Sequence, residues 1–381
     1  MNKIIIFLLR VIATIVPARK KIIFQSFPDL TGNSKKMYDL CIQNKLYLQY
    51  ELIWFVSEGQ DISSLKERYA HTSFIEMKNT VTNKIKRNIE QLQAKYLLFD
   101  NGFLLKLNKR TTSFYLQHGT PLKDVKDIYQ EDFQCDYVIS ATDYTDHLYL
   151  THIDNNNKKA LGFPRNDDLF SADQSQKDYV ASIFEGFDQQ SKLVVWLPTL
   201  RHDVSGRNDL VDEQDSFSVV NIDFIEKLNA FLKDNNTFIL IKPHPIQDLT
   251  KFNDVNTSNI KVILDTDLFQ QQLELHHLLG CSDALITDYS SIYFDYLLLN
   301  KPVAFTHGDK GNYKLGFLYD NLDELLAGAI INTNEQFFQF LISIVDDVDD
   351  YAEQRAKVNK LFNTYQDGKA TERVYNFILS K

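Results

Sequence analysis

Short apolar runs alternate along the chain with longer polar–apolar stretches. In the first half the runs are Lys21–Gln25 (KIIFQ), Leu52–Val56 (LIWFV), Tyr96–Phe99 (YLLF), Ser113–Gln117 (SFYLQ) and Tyr137–Ser140 (YVIS). In the second half they are Leu193–Leu197 (LVVWL), Thr237–Lys242 (TFILIK), Lys261–Leu264 (KVIL), Ala284–Thr287 (ALIT) and Val303–Thr306 (VAFT). They are near-continuous rather than alternating, as strands covered on both faces are. Helix-length segments separate them, among them Ile222–Asp234, Leu268–Leu279 and Glu335–Val345. Strand, helix and strand in series predict parallel sheets built from β-α-β units. The pattern occurs twice, on either side of a polar stretch at Ser171–Lys192. The expected fold is therefore α/β, with two doubly wound Rossmann-like domains facing a cleft. The expected divisions are an amphipathic helix at 1–20, a domain at 21–172, a linker at 173–191 and a second domain at 192–381.

The N-terminus departs from this pattern. Its apolar stretch, Ile4–Val16, has 13 residues and is interrupted by Arg10. A bilayer span needs ~20. Lys3, Arg10 and Thr14 share one stripe of a helical wheel, and Arg19, Lys20 and Lys21 follow. That arrangement fits a helix lying in an anionic membrane surface. The same segment would also suit packing on the protein's own core. As a signal peptide it is poor, because Arg10 breaks the apolar region and Val16-Pro17-Ala18 is an unfavourable cleavage context.

Composition narrows the class. The 381 residues include 27 Phe, 19 Tyr and 2 Trp, enough to fill large cores and to exclude a disordered or fibrous chain. A net charge of -10 argues against a general nucleic-acid binder. Cys41, Cys135 and Cys281 are far apart, form no C-x-x-C pair and suggest free thiols in a reducing compartment, not a zinc site.

In open α/β sheets ligands bind beyond the carboxyl ends of strands. Five polar sets stand there or close by: His118-Gly119-Thr120-Pro121-Leu122-Lys123, Gly162–Asp167 with Arg165, Pro198-Thr199-Leu200-Arg201, Lys242-Pro243-His244-Pro245, and Thr287-Asp288-Tyr289-Ser290-Ser291. His118 can serve as a base near neutral pH beside a glycine that permits close backbone approach. Arg201 offers a planar fork to a phosphate. The prolines hold Lys242 and His244 on extended backbone. Ser290 and Ser291 open a helix whose N-terminus suits an anion, although Asp288 or Ser290 could equally be a cap. Taken singly, each set also fits a turn with solvated charges. Together they point to a phosphate-bearing substrate. Neither G-x-x-x-x-G-K-[ST] nor G-x-G-x-x-G occurs, so ordinary nucleotide hydrolysis and dinucleotide redox chemistry are disfavoured. The strings Asp265-Thr266-Asp267 and Asp346-Asp347-Val348-Asp349 suggest helix caps or solvated loops before a metal site, and adjacent His276-His277 is a weak ligand pair.

In order, these motifs resemble those of the CDP-glycerol glycerophosphotransferase family of wall teichoic acid synthesis. Phe24-Gln25-Ser26-Phe27, Phe294-Asp295, Lys301-Pro302, Asp309, Tyr319-Asp320 and Asp367-Gly368 extend the likeness over most of residues 21–381. The resemblance implies a GT-B-type fold. It implies transfer of a polyol phosphate from CDP-glycerol or CDP-ribitol to a hydroxyl of an undecaprenyl-linked saccharide or polyol-phosphate acceptor, with release of CMP. It implies peripheral attachment at the cytoplasmic face of the membrane, an acceptor-side first domain and a CDP-polyol-binding second domain. No resident cofactor, metal or nucleic-acid partner is expected. On the resemblance, His118 is the general base. His244, Lys242 and Arg201 stabilise the pyrophosphate and the departing CMP. Gly119, Thr120, Lys123, Arg165, Thr199, Thr287, Asp288, Ser290 and Ser291 bind substrate. Two departures stand out: Leu200 where the family usually has Trp, and Leu326-Ala327-Gly328 where Leu-Pro-Gly is usual. These are expected to touch loop shape or substrate fit. The rival readings are another GT-B nucleotide-sugar enzyme, such as a UDP-sugar 2-epimerase, and a catalytically idle binding protein.

Overall fold

All ten apolar runs form strands in the computed structural model, which describes residues 9–101, 104–125, 135–151, 153–171, 174–198, 222–243, 255–306 and 316–381. The described residues fall into two units, each built on one parallel sheet. The first comprises residues 1–119, 126–167 and 367–381; the second comprises 120–125 and 168–366.

The first unit's strands are β1 (Lys21–Gln25), β2 (Glu51–Val56), β3 (Thr72–Glu76), β4 (Tyr96–Phe99), β5 (Thr112–Tyr115), β6 (Tyr137–Ser140) and β7 (Lys158–Ala160). They lie in the order β3-β2-β1-β4-β5-β6-β7. The winding reverses between β1 and β4, which places the switch point there. β1 and β4 are buried along their whole length, as their unbroken apolar sequences require. The C-terminal helix Ala370–Leu379 belongs to this unit: Phe377 packs edge-on to Phe114 and Tyr137.

The second unit's strands are β8 (Lys192–Trp196), β9 (Thr237–Ile241), β10 (Ile260–Val262), β11 (Ala284–Thr287), β12 (Val303–Thr306) and β13 (Ala329–Ile331), in the order β10-β9-β8-β11-β12-β13. Here the switch point lies between β8 and β11. Trp196, Ile239, Ile286, Leu228, Phe337 and Leu341 fill the core between sheet and helices.

Three strands escaped the sequence pattern: β3, β7 and β13. All three are sheet edges, where one neighbour is missing and the residues are only partly buried, so no continuous apolar run is needed. The helix expected at Leu268–Leu279 is two helices, Asp265–Gln271 and Leu275–Cys281. Gln272 turns left-handed at φ +58°, and the Leu273 amide returns to the Leu268 carbonyl at 2.9 Å, which closes the first helix. The polar stretch at 171–192 carries a helix of its own, Gln174–Ile183.

Of the expected N-terminal helix, residues 1–8 lie outside the described residues, 9–12 are helical and 13–15 are turn. Ala13 and Leu9 pack on Leu92, Leu105 and Leu107, while Val11, Ile12 and Ile15 are exposed. The helix Val81–Gln93 is inverted in the same sense. Val81, Ile85 and Ile89, at i, i+4 and i+8, form a solvent-facing aliphatic stripe, 73%, 54% and 46% exposed. No described helix is long and apolar enough to cross a membrane.

Candidate active site

At the switch point of the first unit, Asp100 at the exit of β4 meets the start of the helix Gly32–Gln43, which follows β1. The Asp100 carboxylate is fully buried against that helix start. The Ser34 amide donates to both of its oxygens, at 2.9 and 3.1 Å, and the Ser34 hydroxyl donates to Oδ1 at 2.6 Å. The helix N-terminus adds a favourable field. Gly32 makes this approach possible. Its φ is +71°, and a Cβ there would lie 2.7 Å from Asp100 Oδ2. Burial nonetheless pushes the Asp100 carboxyl up to about 7, outweighing the Ser34 hydrogen bonds and the nearby Arg165 charge.

Asn33 fastens the next strand exit. Its Nδ2 donates to the carbonyls of Leu116 and Gln117 at 3.0 and 2.8 Å, and its Oδ1 accepts from the Arg165 amide at 3.0 Å. Gln117 is buried and left-handed at φ +59°. Its Nε2 donates to the Ile139 carbonyl at 3.0 Å and its Oε1 accepts from the Tyr149 hydroxyl at 2.5 Å. This network ends the strand expected at Ser113–Gln117 two residues early, at Tyr115, and turns the backbone so that the next side chain, His118, is exposed. His118 Nδ1 stands 3.4 Å from the Asp100 carbonyl oxygen. A carbonyl can only accept, so this contact favours the proton on Nδ1, which makes Nε2 the basic nitrogen of the neutral ring. Gly119 follows at φ +125°, a conformation that favours glycine.

The 162–167 motif divides its work. Arg165 joins the Asp100 group. Asp167 caps the C-terminal helix, accepting from the amides of Ala370 and Thr371 at 2.9 and 2.8 Å. Gly162, at φ +86°, leaves room for Ala370, whose Cβ would lie 3.0 Å from an added Cβ. Asp367 pairs with Arg373, whose Nε donates to the Leu161 carbonyl. Sequence reasoning passed over Asn33, Ser34 and Asp100. The signal was present, because Asp100 directly follows the YLLF run at a strand exit.

In the second unit, the exits of β9, β8 and β11 are tied together. The Lys242 amide donates to the Trp196 carbonyl at 3.0 Å, the Leu197 amide to the Ile286 carbonyl at 2.8 Å, and the Thr287 hydroxyl to the Leu197 carbonyl at 3.0 Å. Lys242 Nζ is 2.9 Å from Asp265 Oδ1, so the first D-x-D string begins with a lysine partner. It ends in a cap, since Asp267 accepts from the Leu264 amide at 2.8 Å. Asp288 is buried beside the switch point, and Ser290 and Ser291 are half-buried ahead of the short helix Ile292–Tyr296. Thr120 and Lys123 belong to this unit, where Lys123 forms an antiparallel bridge with Phe317. Thr199, Arg201, His244, Leu200 and Asp309 lie outside the described residues. The adjacent histidines part company: His276 meets Asp295 at 3.2 Å and His277 meets Asp168 at 3.1 Å. His277 Nδ1 accepts from the Glu274 amide, which leaves its Nε2–H to donate to Asp168.

The structure thus brings His118, Gly119 and Arg165 together on the carboxyl edge of one sheet, and Lys242, Thr287, Asp288, Ser290 and Ser291 along that of the other. The family model of CDP-glycerol:poly(glycerophosphate) glycerophosphotransferase matches residues 8–380. The chain belongs to this family. Its members are transferases. The chain is 25% identical to the teichoic acid glycerol-phosphate transferase of Staphylococcus aureus over 94% of its length and 92% of the relative's. It is 33% identical to the teichoic acid poly(ribitol-phosphate) polymerase of Bacillus spizizenii, over 60% of this chain and 34% of that one. Among solved structures, the wall teichoic acid polymerase TagF aligns with a TM-score of 0.72 at 20% identity, covering 100% of this chain and 98% of that chain. That likeness supports the GT-B-type fold expected from the resemblance.

Proposed function

We propose that the protein transfers a polyol phosphate, glycerol phosphate foremost, from a CDP-polyol to a hydroxyl of a lipid-linked teichoic acid acceptor. The observation that carries this reading is the presentation of His118 by the Asp100–Asn33–Gln117 network, in a chain that matches the glycerophosphotransferase family almost end to end. The acceptor hydroxyl loses its proton to His118 Nε2 and its oxygen attacks the β-phosphorus of the donor. The new O–P bond forms as the bond from that phosphorus to the CMP oxygen breaks, and CMP leaves with the electron pair. A placed base contributes ~10²–10⁴-fold. Arg165 supplies a positive charge beside the attacking group. Lys242, His244 and Arg201 meet the charge growing on CMP, and Ser290 and Ser291 hold a phosphate oxygen. Gly119, Thr120, Lys123, Thr199, Thr287 and Asp288 complete the substrate contacts. The relatives include both glycerol-phosphate and ribitol-phosphate enzymes, so CDP-ribitol is the second donor to test.

The reading extends to peripheral attachment at the cytoplasmic membrane face, where a lipid-linked acceptor resides. Its support is the exposed aliphatic surface of Val11, Ile12 and Ile15 and of Val81, Ile85 and Ile89, flanked by Lys84 and Lys86. Purified protein given CDP-glycerol, CDP-ribitol or a UDP-sugar with acceptor-bearing membranes should release CMP from one CDP-polyol. UDP release alone would overturn the proposal in favour of a nucleotide-sugar enzyme.

A further inference from the structure

The first unit contains a cavity of about 1070 Å³ at the end of its sheet opposite His118. Its walls come from the segments that precede β5, β6 and β7 and from residues 10–14. Those segments enter the amino ends of the strands, whereas His118 leaves the carboxyl end of β5, about 13 Å away along four residues of strand. The cavity is therefore separate from the candidate active site.

Its charge is one-sided. Arg10, Lys106, Lys109 and Arg110 line it, against Asp136 and Asp154. Both carboxylates are already engaged. Asp136 pairs with Lys106 at 2.5 Å and accepts from the Ser113 amide and hydroxyl at 2.8 and 2.9 Å. Asp154 accepts from the Asn156 amide at 2.7 Å. Among the described residues no carboxylate pairs with Arg10, Lys109 or Arg110, although Arg110 reaches the Val16 carbonyl at 3.4 Å. Three exposed cations thus converge on one concave surface of a chain whose net charge is -10.

The wall that carries Arg10 also carries an aliphatic face. Ala13 is buried against Leu92 and Leu107, which turns Val11, Ile12 and Ile15 outward at 51%, 46% and 82% exposure. A free phosphate would use the cations alone. A phospholipid would use both, with its phosphate among the basic side chains and its acyl chains along the aliphatic face. The volume, at the upper end for small-molecule sites, leaves room for a phosphoglycerol headgroup together with the glycerol backbone of the lipid. We propose that this cavity is a headgroup site for an anionic phospholipid, distinct from the donor site. The proposal deepens the membrane reading above and rests on it for its biological setting.

The test uses the full chain in calorimetric titrations with three probes: dihexanoyl phosphatidylglycerol below its micelle concentration, dihexanoyl phosphatidylcholine, and inorganic phosphate. Saturable one-to-one binding of the first, at least tenfold tighter than of the other two, is expected. The double variant Lys109→Gln/Arg110→Gln should weaken it about 25-fold, since a basic residue beside an anionic lipid contributes about fivefold. Lys84→Gln/Lys86→Gln, which removes the same charge from the helix Val81–Gln93, should leave this titration unchanged. Equal weakening by both pairs would reduce the site to diffuse surface charge and overturn it, as would equal affinity for inorganic phosphate. Flotation with phosphatidylglycerol vesicles separates the two readings. A protein that floats but fails to bind the monomeric lipid refutes the cavity and keeps membrane attachment. One that binds the monomeric lipid but does not float refutes membrane attachment and keeps the cavity.

Discussion

Gly32 and Asp100 meet where the first sheet reverses its winding, and Asp100 Oδ2 occupies the space that a Cβ on residue 32 would need, 2.7 Å away. Gly32→Ala must therefore either displace the carboxylate from the helix start or unwind that start, on top of the cost of φ +71°. The expected loss is at least about 2 kcal/mol of unfolding free energy, read by chemical denaturation. Wild-type stability in that variant would mean that the carboxylate does not need its present seat.

The buried Asp100 gives stability a pH dependence of definite sign. Its folded pKa, about 7, lies above the unfolded value near 3.8, so between these the native state holds the extra proton. Stability is highest below the lower value and falls as pH rises through the window, by on the order of 4 kcal/mol in full. Asp100→Asn keeps a carbonyl oxygen for Ser34 and cannot ionise. The difference in unfolding free energy between pH 5 and pH 8 should shrink by most of that amount in the variant. An unchanged difference would assign the dependence to another group.

Asn33 joins three backbone groups from two distant segments: the Leu116 and Gln117 carbonyls and the Arg165 amide. Asn33→Ala should cost on the order of 3 kcal/mol. It also frees Gln117 from its left-handed turn, so His118 loses its fixed placement. CMP release should fall by ~10- to 100-fold at temperatures where the variant remains folded. A loss of stability with full turnover would make Asn33 a structural residue alone.

The departure at Leu326-Ala327-Gly328 has a local explanation. The Ala327 amide donates to the Tyr293 hydroxyl at 2.9 Å, and that hydroxyl donates to the Leu325 carbonyl at 2.7 Å. Proline could not donate. Gly328 is fixed by crowding, since a Cβ would lie 2.3 Å from the Val303 carbonyl oxygen. Ala327→Pro should lower unfolding free energy by about 1 kcal/mol, measured by the shift in denaturation midpoint. A neutral or stabilising result would show that chain stiffening outweighs this hydrogen bond.

Burial explains which parts of this architecture could be read from the sequence. Strands such as YLLF and ALIT are covered on both faces, so their sequences must be apolar throughout, and they stood out. β3, β7 and β13 are edges under a weaker demand, and KKA at β7 carries no apolar signal at all. The position of the candidate site was legible where a motif leaves a strand with an exposed side chain, as at His118. It was not legible where a motif residue works inside the fold. Asp167 serves as a helix cap and Asp295 as a histidine partner, and spacing alone does not separate those roles from substrate binding. Asn33 acts on carbonyls more than 80 positions away, a relationship that no local pattern encodes.

The central claim is that His118 moves a proton and does not hold the donor. Its most direct test is a paired measurement on wild type and His118→Ala: equilibrium binding of CDP-glycerol, and CMP release in the presence of acceptor. CMP release lower by ~10²–10⁴-fold, with donor affinity within about twofold of wild type, is the predicted result. Loss of donor binding in step with turnover, or turnover that survives the substitution, would contradict it.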